Sequence, residues 1–362
     1  MSEAGPAMRW IAYLLTVALS AGLASRQSPV SIFTALGLSA NEIAAIERGR
    51  PVTKELAWGD ASEIYVLGAV HIDGSPDVYL KIARDLRRLD GAPGYLGIGE
   101  LVDDTTEADL HDLTFEADDV KALKNCREGA CDVQLPAASI AAFRQQIDFS
   151  RPDAVEQASA LGRSMVLQMV RAYQHGGDDA LGTYRDKQHP SRIADQFRRM
   201  IGRASALPDV LPELRRYLLD YPDAALPNAD TFFYWEKAAF GLKPTIRVNH
   251  AVIFRGRAEG RDVGVVAIKQ LYATHYFHTA LDLSVCVADA AGTGRGFDLL
   301  TLKASQQDGL TGITGSLLRK AVLDKTRHAL ERALVAIKQT VEAGHPASIS
   351  AWSRAHGAAG AW

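Results

Sequence analysis

The sequence contains no Gly-x-Ser-x-Gly elbow, no His-Glu-x-x-His pair and no phosphate-binding loop. Each absence counts against one common class: serine hydrolases, zinc proteases and NTPases. Charge of one sign is also missing. The formal net charge is −3 over 362 residues, so no nucleic-acid surface is expected. The local basic groups Arg84/Arg87/Arg88 and Arg198/Arg199/Arg203 have the spacing of solvated helix faces. Beyond the N-terminus, no run is long and apolar enough to span a bilayer. Cysteine is scarce, with three in the chain and none near residue 25, so a lipid-modified N-terminus is not expected.

What is present begins with Met8-Arg9 ahead of the apolar run Ile11 to Ala24. Small residues close that run before Ser25, which is the pattern of a secretory signal peptide. At about 14 residues it falls short of the roughly 20 that span a bilayer. The expected location is periplasmic or secreted, the alternative being an anchor formed by an uncleaved N-terminal segment. Cys126 and Cys131 flank Arg-Glu-Gly-Ala, where Gly129 gives turn freedom. A disulfide across this turn suits an oxidising compartment. The rival, a metal pair, lacks further ligands nearby. Cys286 lies in a strand pattern and reads as a small buried thiol.

Hydrophobic residues make up 47% of the chain, enough for a sizeable core in one or two domains. Ser39-Ala-Asn-Glu42 is a capping box, opening a helix that Gly49 stops. Ile64 to Ile72 reads as a mostly buried strand. Ser75-Pro76 then starts a helix whose stripe is Val78, Ile82, Leu86 and Leu89. Gly91 to Gly99 reads as a loop; its Gly97-Ile-Gly99 has no third glycine and is not taken as a nucleotide fingerprint. Leu110 to Phe115, Val120 to Asn125 and Cys131 to Leu135 read as short strands, the last two forming a hairpin.

From Ala137 to about Asp230 the pattern is helical, and Pro227 to Lys243 reads as an aromatic-rich connector holding Tyr234 and Trp235. Thr245 to Phe254 is a strand whose even face, with Val248 and His250, is taken as inward. In the next strand the inward phase holds Val263, Val265, Lys269, Leu271 and His275, and continues through Phe277. A single strand of that length is excluded, so a bend or reversal is expected near Tyr276-Phe277-His278. Gly292 to Gly296 makes a turn and Phe297 to Ala304 a further strand. Leu317 to about Val341 is a long amphipathic helix.

A strand, a helix, an antiparallel run of strands and one long C-terminal helix is the order of the helix-grip fold. The chain resembles the START-like superfamily, also called the polyketide cyclase/dehydrase and lipid-transport superfamily, in the manner of an exported bacterial member. The resemblance covers 54–135 and 232–342. It rests on Val70-His-Ile-Asp-Gly-Ser-Pro76, Ile268-Lys-Gln-Leu-Tyr-Ala-Thr-His-Tyr-Phe277 and Asp308-Gly-Leu-Thr-Gly-Ile313. It implies an α+β fold, a curved antiparallel sheet wrapped around the C-terminal helix, enclosing an apolar cavity for a lipid or other hydrophobic small molecule. No catalytic residues carry over, and the helical insert departs from the usual compact pattern. The organisation expected is signal peptide 1–24, linker and short helix 25–53, START-like domain 54–343 with insert 137–230, and disordered tail 344–362.

Three polar residues, His250, Lys269 and His275, fall on inward faces that are otherwise apolar. Strand phase allows His250 to lie beside Lys269. A buried lysine is rare unless paired, and desolvation lowers its pKa. Such a cluster suits a carboxylate or phosphate headgroup, or an acid/base pair. The alternative is structural: Lys269 snorkels to an edge and the histidines make hydrogen bonds. His250, Lys269, His275, Leu271, Phe277, Tyr234 and Trp235 are the expected ligand-binding set. His275 and His278 point to opposite strand faces and cannot chelate without a turn, so neither metal nor cofactor is expected. The function expected first is hydrophobic-ligand binding, with room for peripheral membrane contact. A cyclase, dehydratase or hydrolase acting in the same cavity, and an envelope scaffold docking through the insert, are the alternatives.

Overall fold

Ser39 and Glu42 form the capping box, with the Glu42 amide donating to Ser39 Oγ at 3.3 Å and the Ser39 amide to Glu42 Oε2 at 2.7 Å. Helix α2 (Ala40–Glu47) starts there, after the short α1 (Val30–Ala35). Strands β1 (Val52–Glu55) and β2 (Glu63–Ile72) follow. Ser75 caps α3 (Pro76–Arg84), and the stripe then continues in a separate 3-10 turn, Leu86–Leu89. This computed structural model describes residues 30–90, 92, 94–204, 210–239, 243–258, 260–289 and 296–344. The signal-peptide expectation, the tail beyond Gly344 and most of the Gly292–Gly296 turn lie outside the described residues.

The segment read as a Gly-rich loop contains a strand, β3 (Tyr95–Leu101). Its glycines admit the Trp235 indole: a Cβ on Gly97 would lie 2.9 Å from the ring, and one on Gly99 2.6 Å from Trp235 Nε1. The three short strands expected over 110–135 are also corrected. Leu110 ends a 3-10 turn, and Ala117–Asn125 is helix α4 with its buried stripe at Val120 and Leu123. Cys126 caps α4 and is bonded to Cys131, so the disulfide ties a helix end to a turn. Helices α5 (Ala137–Gln146), α6 (Ala154–Gly176), α7 (Ile193–Arg203) and α8 (Pro212–Asp220) build the insert. It is not all-helical, because β4 (Thr183–Tyr184) and β5 (Ser191–Arg192) form a two-residue ribbon within it.

The aromatic connector is also a strand, β6 (Asp230–Ala239). It escapes a period-two reading because both its faces are buried, Phe232 and Tyr234 on one side and Phe233 and Trp235 on the other. Then come β7 (Pro244–Ala258), β8 (Arg261–Ala273), β9 (Phe277–Ala288), β10 (Phe297–Gln307) and α9 (Gly312–Glu342). The expected reversal falls at Thr274–Tyr276, where Tyr276 takes φ +64°. Helix α9 begins five residues earlier than its apolar stripe suggested, at Gly312 rather than Leu317.

The fold is α+β, with one large curved antiparallel sheet of eight strands in the order β1-β2-β10-β9-β8-β7-β6-β3 and a long C-terminal helix. Strands β6 to β10 meander in chain order, while the early strands supply both edges. Helices cover both faces. On one, α3 and α9 pack on Val66, Val70, Phe232, Ile253 and Leu299. Gly68 lets α9 approach β2, since a Cβ there would come within 2.7 Å of Leu330. On the other face, α1, α2 and the insert pack on Leu67, Val252, Val265, Leu283 and Leu302.

Candidate functional site

A face buried under helices should be apolar, because desolvated charge is costly without a partner. The α9 face breaks that rule in three cross-strand pairs. Glu236 on β6 lies opposite Arg247 on β7, and their side chains meet at 3.1 Å with both nearly sealed from solvent. Asp282 on β9 lies opposite Lys303 on β10, joined at 2.5 Å. Ser284 and Thr301 pair beside them, Oγ to Oγ1 at 3.1 Å. Strand alternation puts all six side chains on one face.

These pairs border a cavity of about 160 Å³ between the sheet, α3 and α9. Ala333, Leu334 and Ile337 of α9 and Tyr79 and Ala83 of α3 roof it, and Arg88 joins the wall with Tyr95 and Tyr234. Arg247 also donates from Nε to Gln270 Oε1 at 3.1 Å, which fixes the guanidinium plane. Burial raises the Glu236 carboxyl above the usual range, and Arg247 pulls it back. Burial works against the charge of Arg247, but Glu236 and Asp282 outweigh it and hold the group above its ordinary value. Burial lowers Arg88 and raises the Tyr79, Tyr95 and Tyr234 phenols, so the hydroxyls stay neutral donors at any ordinary pH. The wall thus carries Arg88, Arg247 and Lys303 against Glu236 and Asp282, with apolar helix faces above. It can hold a polar group at its floor and an apolar body under α9.

The structure distributes the expected ligand residues differently. Tyr234 lines this cavity. Phe277 does not line it; it packs with Ala238, Ala273 and Tyr95, and the Arg247 guanidinium lies 5.7 Å from its ring centre. Trp235 points to the opposite face, against Gly97 and Gly99. His250 and Lys269 are paired in register, but also on that opposite face, under the insert rather than under α9. The inward face read from β7 was one of two inward faces, since both sides of the strand are covered.

His250 accepts or donates at 3.1 Å with the Tyr173 hydroxyl and at 2.7 Å with Thr231 Oγ1. Its ring stacks on Phe233, centroids 4.6 Å apart, and burial followed by the nearby Lys269 charge pulls its pKa to about 3. Lys269 is wholly buried. It pairs with Asp178 and donates to the Leu218 carbonyl at 2.7 Å, while its Nζ lies 4.0 Å from the Phe197 ring centre. Burial brings it down to about 8, against the pull of Asp178. It does not snorkel to an edge. His275 binds elsewhere, to Asp119 at 3.1 Å and the Asp132 carbonyl at 3.0 Å. His278 turns away to Asp308 at 3.0 Å. Among the described residues, no three His, Cys, Asp or Glu side chains converge as a metal site. Leu271 borders a different cavity, beneath the insert.

The charged wall was missed by phase reading. Its signal was present: Glu236 sits in an aromatic run, and Arg247, Asp282 and Lys303 interrupt strands that are otherwise apolar. Glu236 fell in the segment read as a connector, and Arg247 and Asp282 fell on the strand phase opposite the one read as inward, because a sheet is usually covered on one side.

The Cys126–Cys131 bond fits an oxidising compartment. Among the described residues, no helix is long and apolar enough to cross a membrane. No family model matches this chain, and no curated protein or solved structure is similar to it.

Proposed function

We propose that this is an exported binding protein of helix-grip, START-like type, holding a small amphipathic molecule between the sheet and α9. The observation that carries the reading is the set of three polar pairs facing a cavity where a packed core should be. Sequence rules are broken at functional sites more often than elsewhere. A volume of about 160 Å³ matches one ring or a short chain, not a whole two-chain lipid. The ligand therefore places its polar group against Arg247, Lys303 and the tyrosine hydroxyls, with its apolar part against Leu334 and Ile337. Ile313 and Leu317 stand 90% and 71% exposed at the start of α9, a place for transient contact with the membrane that supplies the ligand.

The test is native mass spectrometry and lipid extraction on protein purified from its own envelope. A stoichiometric adduct is expected, and it should be absent when Glu236 and Arg247 are both replaced by Met. Protein that carries no adduct, or an adduct indifferent to that replacement, refutes the reading. Catalysis by His250, Lys269 or His275 has less support, because none of the three borders this cavity. A scaffold role for the insert also lacks its expected sign. Among the described residues of 137–230, only Val155 is a large apolar side chain left exposed.

A further inference from the structure

The other face of the sheet holds a second cavity of about 160 Å³, beneath α5 and α6. Phe115, Phe143, Met165, Met169, Ile246 and Leu271 form most of its wall. The described residues around it include no Asp, Glu, Lys, Arg or His. The two cavities therefore differ in kind: one has five charged groups in its wall, the other has none. A charged guest here would lose its hydration with no counter-charge to replace it.

Two buried phenols border the second cavity. The Tyr272 hydroxyl donates to the Gln134 carbonyl at 3.0 Å. Tyr184 is only 3% exposed, and its hydroxyl, whose oxygen faces the Ala273 backbone amide, has no acceptor for its proton among the described residues. A buried O–H left without an acceptor is costly, and native structures rarely tolerate it. Met165 and Met169 face it from α6, and unbranched thioethers reshape around a guest more readily than branched side chains do. The helix that carries them is itself held closely: a Cβ on Gly162 would lie 2.6 Å from the Phe115 ring.

We infer that this cavity is a second binding site, for an uncharged, ring-sized molecule with one oxygen acceptor placed at the Tyr184 hydroxyl. The size follows from the volume, since a cavity of roughly 150 Å³ accepts benzene. The site is independent of the ligand proposed under α9.

Benzyl alcohol is the probe, with benzoate as its charged counterpart. Full-length protein carrying 13C-methyl methionine is titrated with each and followed by NMR. Benzyl alcohol should shift the Met165 and Met169 methyls saturably. Met200, buried against the sheet in a different part of the core, should not move. Benzoate should leave all three unchanged. Tyr184→Phe should weaken benzyl alcohol about tenfold, the scale of one lost hydrogen bond. Ala180→Phe, which fills the cavity, should abolish the shifts, with far-UV dichroism reporting whether the fold is kept. No saturable shift, an equal response to benzoate, or unchanged affinity in Tyr184→Phe overturns the inference.

Discussion

His250 lies directly opposite Lys269 on adjacent strands, yet different parts of the helical layer hold the two side chains. Tyr173 of α6 takes the imidazole, while Asp178 and the Leu218 carbonyl take the ammonium. The pair works as a clasp between sheet and insert.

Lys269→Met should therefore destabilise the protein by about 3–5 kcal/mol, because it leaves the Asp178 carboxylate buried and uncompensated. Replacing both, with Asp178→Leu added, should recover most of that loss. Urea midpoints of the two variants decide it; a double variant no better than the single one removes the clasp.

Acid should loosen the same layer. His250 is neutral in the fold down to a pKa of about 3, whereas the unfolded imidazole takes its proton near 6.5. Across that window the unfolded chain binds a proton that the folded chain refuses, so stability falls as pH drops from about 6.5 towards about 3. His71 acts in the opposite sense. Its hydrogen bond to Asp298 raises its pKa, so its contribution is full below about 6.5 and fades as pH rises through the raised value. Urea midpoints between pH 4.5 and 8 should show a shallower acid limb in His250→Gln. His71→Gln should lose stability at the acid end and match the parent at the alkaline end.

Arg247→Ala should cost about 3–5 kcal/mol by stranding Glu236 in the α9-side cavity. Replacing both residues by Met should restore the thermal midpoint but not ligand retention. A double variant that keeps its adduct in native mass spectrometry would show that the charged wall has no part in binding.

Cys126 and Cys131 close a loop with a sequence separation of 5. So short a loop constrains the unfolded chain modestly, by about 2 kcal/mol in the chain-entropy description. Replacing both with Ser should lower the thermal midpoint by a few degrees and leave the α9-side ligand in place. A large loss of ligand would tie α4 to the binding site.

Gly68→Val should push α9 off β2, since Leu330 and Leu334 already lie within 2.8 Å of where its Cβ would go. Overpacking of this kind costs about 1–3 kcal/mol. It should also weaken ligand retention, because those helix residues roof the cavity. Retention equal to the parent would mean that the seat of α9 does not shape the pocket.

The sequence by itself determined the elements whose signals are local. Ser39 with Glu42, and Ser75 with Pro76, start helices through side-chain and φ preferences that need no distant partner. The reversal near Tyr276 and the closely spaced cysteines also followed from local spacing and strand phase, which allowed the opposition of His250 to Lys269 without choosing it over Ala267. Tertiary structure alone decided which face each strand turned to which helix. Because α9 covers one side of the sheet and the insert the other, β6 and β7 lose the polar–apolar alternation that marks an exposed face. For the same reason Arg247 and Glu236, which phase reading placed off the inward face or in a connector, came together in a cavity, while His250 and Lys269 went to the other side. Side-chain period fixes which residues share a face; only long-range packing fixes what that face meets.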